Sequence, residues 1–313
     1  MKAIVLSAFG NDGGFQIETL PKPILKENEV LVSVKSIGIN PVDIKTRLGN
    51  PMSQRFSSEQ HLILGWDLAG VVVAVAEGVT KFKIGDEVFG MVNFPGIGRA
   101  YAELVAAPIA HLALKPTNIT FEEAAAATLA ALTAFKALEL LGTKAGDRIL
   151  IHAAAGGVGH YAVQLAKNLG AFVIGTASAK NRGLVRSLGA DQFVDYHNEK
   201  LTDVVTNVDS VLDTIGGENI DASLAVMNQG GKIVSIPSGK NDTVAEKAAE
   251  QGMLGMKMMV NSDDHHIEQI ASYLENGIIK SHIFKVYSFN QMTEAHQQVQ
   301  SGSTAGKVIV NID

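Results

Sequence analysis

The chain has 313 residues, 46% of them hydrophobic and 19% charged, with a formal net charge of −6 and no cysteine. That length exceeds one typical core and predicts two domains, and the acidic balance speaks against nucleic acid as the main partner. The lack of cysteine excludes disulfides, thiolate nucleophiles and every cysteine-based zinc site, and no stretch is apolar over a bilayer's thickness. Residues 1–6 are too short for a signal peptide and lead directly into folded-looking sequence. The expected setting is the cytosol, without membrane association.

In the first third, residues 2–6 and 30–35 read as strands, the second alternating Val30, Val32 and Val34 with Leu31, Ser33 and Lys35. More short apolar runs follow at 61–64, 70–76, 87–92 and 101–106. They are separated by turn signals at Asn11-Asp12-Gly13-Gly14, Glu77-Gly78 and Ile84-Gly85-Asp86, a pattern that predicts a barrel-like β domain. Polar residues follow a strand directly in Gly38-Ile39-Asn40-Pro41-Val42-Asp43-Ile44-Lys45-Thr46-Arg47. Asp43 suits the cap of a short helix, and Lys45 and Arg47 can be plain solvated charges. Asp67, beside the only tryptophan (Trp66) and in apolar surroundings, needs a partner when buried. Arg47 is a candidate.

Thr120-Phe121-Glu122-Glu123 is a capping box that opens one alanine-rich helix, predicted to run to Leu141 and stop at Gly142. Leu169-Gly170 and Leu188-Gly189 repeat that ending. Strands predicted at 148–153, 172–176, 192–195, 209–213, 232–236 and 256–260 alternate with helices, which implies an α/β fold with a parallel, doubly wound sheet. The first strand-to-helix turn fits the dinucleotide fingerprint, with Ala154, Gly156 and Gly159 at the three small positions and Gly157 and Val158 between them. A pyrophosphate is expected on the free N–H groups of the following helix.

Cofactor choice follows from charge. No acid occurs between Asp147 and Asp191, where an NAD site places one on the ribose. Ser178, Lys180 and Arg182, with Tyr196 past the third strand, instead suit a 2′-phosphate, so NADPH is expected. Asp213-Thr214-Ile215-Gly216-Gly217 reads equally as a cofactor-facing turn or a plain one, and His152 as a satisfied core histidine. Residues 264–276 read as a helix with His265-His266 at its solvated start, 280–288 as extended chain, and Ser288-Phe289-Asn290-Gln291 as the start of another helix. Gly306-Lys307-Val308-Ile309-Val310-Asn311 reads as a closing strand that rejoins the first domain. The expected domains are 1–120 with 277–313, and 121–276, with a cleft between them.

Taken together, Gly38 to Asp43, Leu64-Gly65-Trp66-Asp67-Leu68-Ala69-Gly70, Ile151 to Gly159, Thr176 to Asn181 and Gly306 to Val310 resemble the medium-chain dehydrogenase/reductase superfamily over essentially the whole chain. The nearest resemblance is to its zinc-free quinone oxidoreductases and alkenal/enone reductases. That resemblance implies a GroES-like β domain plus a Rossmann domain, NADPH as cofactor, and homodimers paired through the edge strand at 256–260. It adds Thr133 and Lys307 to the cofactor contacts. The superfamily's zinc enzymes carry cysteine where Asn40 stands and Gly-His-Glu where Gly65-Trp66-Asp67 stands, with a third ligand cysteine near Leu129. No metal site is therefore expected. It further implies hydride transfer to a quinone or an α,β-unsaturated carbonyl, with Asn40 and Lys45 meeting the developing oxyanion and Asp43 orienting the loop. Two alternatives stand beside it. One is an NADPH-binding protein with a crystallin-like or RNA- or protein-interaction role and little turnover, and the other is a carrier-linked enoyl reductase domain.

Overall fold

The structure is a computed structural model and describes residues 1–10, 13–56 and 58–312. The expected turn at Asn11-Asp12 therefore lies outside the described residues. In chain order the elements are β1 Lys2–Leu6, β2 Phe15–Thr19, β3 Glu29–Ile39, α1 Pro41–Arg47, β4 Asp67–Val75, β5 Glu87–Met91, β6 Leu104–Pro108, β7 Leu112–Leu114, α2 Phe121–Ala126 and α3 Leu129–Leu141. Then come β8 Arg148–Ile151, α4 Gly159–Asn168, β9 Phe172–Ala177, α5 Arg182–Ser187, β10 Gln192–Asp195, α6 Leu201–Val204, β11 Val208–Asp213, α7 Glu218–Leu224, β12 Met227–Ser235, α8 Val244–Glu250 and β13 Leu254–Lys257. The chain closes with α9 Asp264–Glu275, β14 Ile283–Ser288, α10 Met292–Gln300 and β15 Lys307–Asn311. None of the helices among the described residues is long and apolar enough to cross a membrane.

Two compact units result: Met1–Leu132 with Val260–Asp313, and Thr133–Met259. In the first, β14-β15-β3-β4-β5-β7 form one sheet and β6 adds to β3. The long strand β3 is buried on both faces, and its apolar residues pack with Leu68, Val88, Tyr101, Leu112 and Val308 in one core. Its register brings the functional residues together. Gly38 pairs with Asp67 and Ile39 with Val308, so the end of β3 lies beside the first residues of both β4 and β15. Residues 61–64, expected as a strand, run as irregular chain. Leu62 O accepts from Leu6 N and Leu64 O from Tyr101 N, which leaves no ladder to extend.

The second unit holds a parallel sheet in the order β10-β9-β8-β11-β12-β13. The strand order reverses between β8 and β11, as in a dinucleotide-binding doubly wound fold, and ligands of such sheets sit beyond the carboxyl ends at that reversal. Gly142, Gly170 and Gly189 end their helices at positive φ, as their sequence positions predict. The capping box at Thr120 forms, with its side chain accepting from Glu123 N. The helix that it opens is not continuous, however. It stops at Ala126 and restarts at Leu129, because the Leu129 N–H is taken by the buried Asp67 carboxylate at 3.2 Å. Gly38 lets α2 lie close on β3, since a Cβ there would meet Ala125 O at 2.6 Å.

Candidate active site

In the first unit, α1 begins one residue after β3 ends. Pro41 occupies a position that needs no N–H, and Asn40 N donates to Asp43 Oδ2 at 2.7 Å. This fixes Asn40, which is buried, at the mouth of the β3–β4–β15 register. Its Nδ2 donates to Asp67 Oδ2 at 2.7 Å and its Oδ1 accepts from Lys307 Nζ. Lys307 Nζ also donates to Ile39 O at 3.2 Å and lies 3.6 Å from Asp67 Oδ2. Three oxygens around one nitrogen match the three N–H groups of an ammonium, so the geometry fits an ion pair. Burial works against the charge of both partners, raising the Asp67 pKa and lowering that of Lys307, and each opposes that effect in the other.

This corrects one expectation and locates a second residue. Arg47 is not the partner of Asp67; its Nη2 donates to Gln300 Oε1 at 2.9 Å. Lys307, expected among the cofactor contacts, turns its ammonium inward and spends it on Ile39, Asn40 and Asp67. Asp43 is fully buried, and burial followed by the nearby Asp67 charge raises its carboxyl to about 7. The phenol of Tyr101, absent from the sequence-based site, interacts with Asp43 and donates to or accepts from His296 Nε2 at 2.9 Å. Lys45 lies on α1, half-buried.

A carboxyl whose pKa is raised on folding lends stability that is full below its ordinary 3.8 and is lost as pH rises through about 7. Asp43→Asn mimics the neutral form. Denaturant unfolding is expected to give it parental stability near pH 3, a gain of about 1–2 kcal/mol near pH 5 and one of at most about 4 kcal/mol near pH 8. A variant less stable at pH 8 than its parent would show that the carboxylate is needed.

In the second unit, the turn after β8 is built for close approach. Ala153 sits at φ 46, and its carbonyl accepts from Gly156 N at 2.7 Å. A Cβ on Gly156 would meet that carbonyl at 3.1 Å and one on Gly159 would meet it at 2.2 Å. Ala154 fills the first small position, fully buried, with its N donating to Thr176 O at 2.8 Å. Gly157 and Val158 lie between, at the start of α4. Such a cradle, where a side chain would intrude, fits a pyrophosphate held on backbone N–H groups. His152 is satisfied: Ser223 Oγ donates to Asn219 O and so accepts from His152 Nε2 at 2.8 Å, while Thr176 Oγ1 faces Nδ1 at 3.2 Å. Burial lowers its pKa to about 4.

Ser178, Lys180 and Arg182 follow β9, and Tyr196 follows β10 beside it, since Asp195 pairs with Ala177. Lys180 and Tyr196 are exposed, Ser178 Oγ accepts from Asn181 Nδ2 at 3.2 Å, and the Arg182 guanidinium lies 4.4 Å over the Phe193 ring. Thr133 is buried on α3. One acid escaped the sequence reading. Asp195, held ionised mainly by the Asn198 amide at 2.6 Å, also accepts from the backbone of Ala179, two residues past the end of β9. The strand spacing concealed it, because it arrives from the neighbouring strand. At the end of β11, Asp213 folds back on its own turn, accepting from Ile215 N and Gly216 N at 2.9 Å.

Residues 26–117 match the alcohol dehydrogenase GroES-like domain family, and residues 188–310 match the zinc-binding dehydrogenase family. The chain is 33% identical to the 2-methylene-furan-3-one reductase of Solanum lycopersicum, over 99% of this chain and 79% of that protein. This chain belongs to the medium-chain dehydrogenase/reductase superfamily, in its quinone and enone reductase branch. It is also 33% identical to the chloroplastic NADPH-dependent alkenal/one oxidoreductase of Arabidopsis thaliana, with the same coverage. The quinone oxidoreductase of Coxiella burnetii superposes with a TM-score of 0.94 at 32% identity, over 100% of this chain and 99% of that one. Oxidoreductases of this superfamily use a nicotinamide cofactor, and the doubly wound unit with its glycine cradle is the part of this chain that fits one.

Proposed function

We propose that this member of the superfamily is an NADPH-dependent reductase that delivers hydride to a quinone or to the β-carbon of an α,β-unsaturated carbonyl without a metal. The observation carrying the proposal is the Asn40–Asp67–Lys307 cluster. At the positions where zinc relatives hold ligands stand an amide, an indole and the apolar Leu129, and a buried ammonium lies among their neighbours. The Trp66 indole has no lone pair for a metal, and its Nε1 donates to Gly96 O at 2.7 Å.

The bound nicotinamide supplies the hydride. Gly156, Gly157, Val158 and Gly159 hold the pyrophosphate, and Ser178, Lys180, Arg182 and Tyr196 face the 2′-phosphate. Asp195, already spent on Asn198 and Ala179, sets a negative charge that Lys180 and Arg182 must outweigh. In the first unit the Asn40 amide offers its second N–H to the carbonyl oxygen as that oxygen gains charge. Lys45 adds a cation and a proton donor, and Asp43 holds the Asn40 backbone in place. We further infer a homodimer paired through β13, which has a bonded neighbour, β12, on one side.

The test is cofactor oxidation measured in parallel against 9,10-phenanthrenequinone, 1,4-benzoquinone, acrolein and a longer enal. NADPH should be consumed with at least one acceptor, in the presence of EDTA, and NADH should be at least about tenfold poorer. Lys45→Ala should lower kcat by roughly 10²-fold and leave NADPH affinity unchanged. Equal use of NADH would overturn the reading of Ser178 and Lys180. Saturable NADPH binding with no acceptor reduced would favour the binding-protein alternative.

A further inference from the structure

His160, the second residue of α4, follows the last glycine of the fingerprint and has no exposed surface. Its Nδ1 lies 2.8 Å from the carbonyl oxygen of Gly156. A carbonyl only accepts, so Nδ1 carries the proton and the imidazole is fixed in one tautomer. The same oxygen accepts from the His160 backbone N–H at 3.1 Å, and Gly156 N donates to Ala153 O at 2.7 Å. One side chain therefore reaches back four residues and fastens the fingerprint turn.

That turn needs fastening. Gly156 and Gly157 are adjacent, and neither has a Cβ to keep the peptide between them from flipping. In a planar trans peptide the carbonyl and the next N–H point in opposite directions. Holding Gly156 O on the imidazole therefore turns the Gly157 N–H the other way. The N–H groups of Gly157, Val158 and Gly159 have no hydrogen-bond acceptor among the described residues. Successive free N–H groups of this kind are what a pyrophosphate takes up. A flipped peptide would set a carbonyl oxygen among them, and that oxygen would repel the phosphates.

We propose that His160 is a positioning residue of the cofactor site, whose Nδ1–H latches the Gly156–Gly157 peptide so that the Gly157 N–H faces the pyrophosphate. The role in binding rests on the function proposed above; the latch itself is a property of the protein without cofactor. His160 acts through the Gly156 carbonyl and not on the cofactor directly. Its effect belongs to the pyrophosphate, which NADPH and NADH share, and leaves the choice between them to Ser178, Lys180, Arg182 and Tyr196.

Nitrogen-15 spectra of the full chain, labelled at histidine, test the latch before any cofactor is added. The signal lost in His160→Asn belongs to His160, and in the parent it should show a protonated Nδ1 and a bare Nε2. The opposite tautomer would overturn the latch, whatever the protein binds. The binding arm compares two substitutions of nearly one shape: asparagine carries an amide nitrogen on Cγ where Nδ1 stood, and leucine carries a methyl group. Parent and variants are titrated with NADPH, NADH and, as ligands without a pyrophosphate, 2′-AMP and adenosine. His160→Leu should weaken the dinucleotide that the parent binds by roughly three- to tenfold, the worth of one hydrogen bond, and leave the matching nucleoside ligand unchanged. His160→Asn should restore the parental affinity. Parental dinucleotide affinity in the leucine variant, equal loss of both kinds of ligand, or an asparagine variant no better than leucine would each refute the role. A parent that prefers NADH overturns the NADPH assignment alone, because the same comparison is then read on NADH. A parent that binds neither overturns the site, and the role with it.

Discussion

Replacing Lys307 with methionine is expected to cost the first unit about 3–5 kcal/mol of unfolding free energy, one of the largest single-residue losses in the protein. The methylenes keep their packing, so the loss is electrostatic. Asp67, with no exposed surface, retains only the Asn40 amide, Thr128 and the Leu129 N–H as partners. Without the ammonium its pKa rises further, and the carboxyl is driven to bind a proton. A carboxyl with a raised folded pKa loses stability as pH climbs from 3.8 through that folded value, so the deficit should be greater near pH 8 than near pH 5. The pair Lys307→Met with Asp67→Asn removes the uncompensated charge and keeps an acceptor for the Leu129 N–H. It should recover more than half of the loss. Urea unfolding of both variants at the two pH values checks this, and a single variant as stable as the double at pH 8 would show that Lys307 is not the counter-ion.

That cluster also shows where sequence reading reaches its limit. Asp67 was recognisable as a buried acid in need of a cation, because Trp66 and the apolar residues around it leave little water. Choosing the cation was not possible. Arg47 is 20 positions from Asp67 and Lys307 is 240, and only the antiparallel register of β15 on β3 puts the second within reach. Tyr101 and His296 escaped for the same reason, since their contact spans 195 positions. Local signals fared better. The capping box at Thr120, the helix-ending glycines and the fingerprint turn each depend on neighbours close in sequence, the widest being Ala153 with Gly159, and each is where the sequence places it. The broken helix after Ala126 lies between these cases. Nothing in an alanine-rich run announces a stop, and the cause is a carboxylate from β4.

Gly159 should be among the most demanding positions of the second unit, and Gly156 is its control. A Cβ on Gly159 would fall 2.2 Å from Ala153 O and 2.8 Å from Ala154 Cα. Both are backbone atoms, so no side chain can swing aside and α4 must move off β8. Ala153 cannot yield easily, because it already holds a left-handed φ of 46 and its carbonyl is tied to Gly156 N. Gly159→Val is therefore expected to lose about 3 kcal/mol or more of stability, the upper range for overpacking. On the proposed function NADPH affinity should fall at least roughly 100-fold, since the helix whose N-terminus would receive the phosphates is displaced. Gly156→Ala separates the two effects. Its Cβ meets only Ala153 O, at 3.1 Å, and Ala153 Cβ, at 3.7 Å, so a shift of a few tenths of an ångström accommodates it. Its melting temperature should stay near the parent's while NADPH binding weakens, because in the proposed site the pyrophosphate would pass over the second small residue. Thermal melts beside NADPH fluorescence titrations distinguish the cases. Parental NADPH affinity in a folded Gly156→Ala protein would mean that the dinucleotide does not cross this turn.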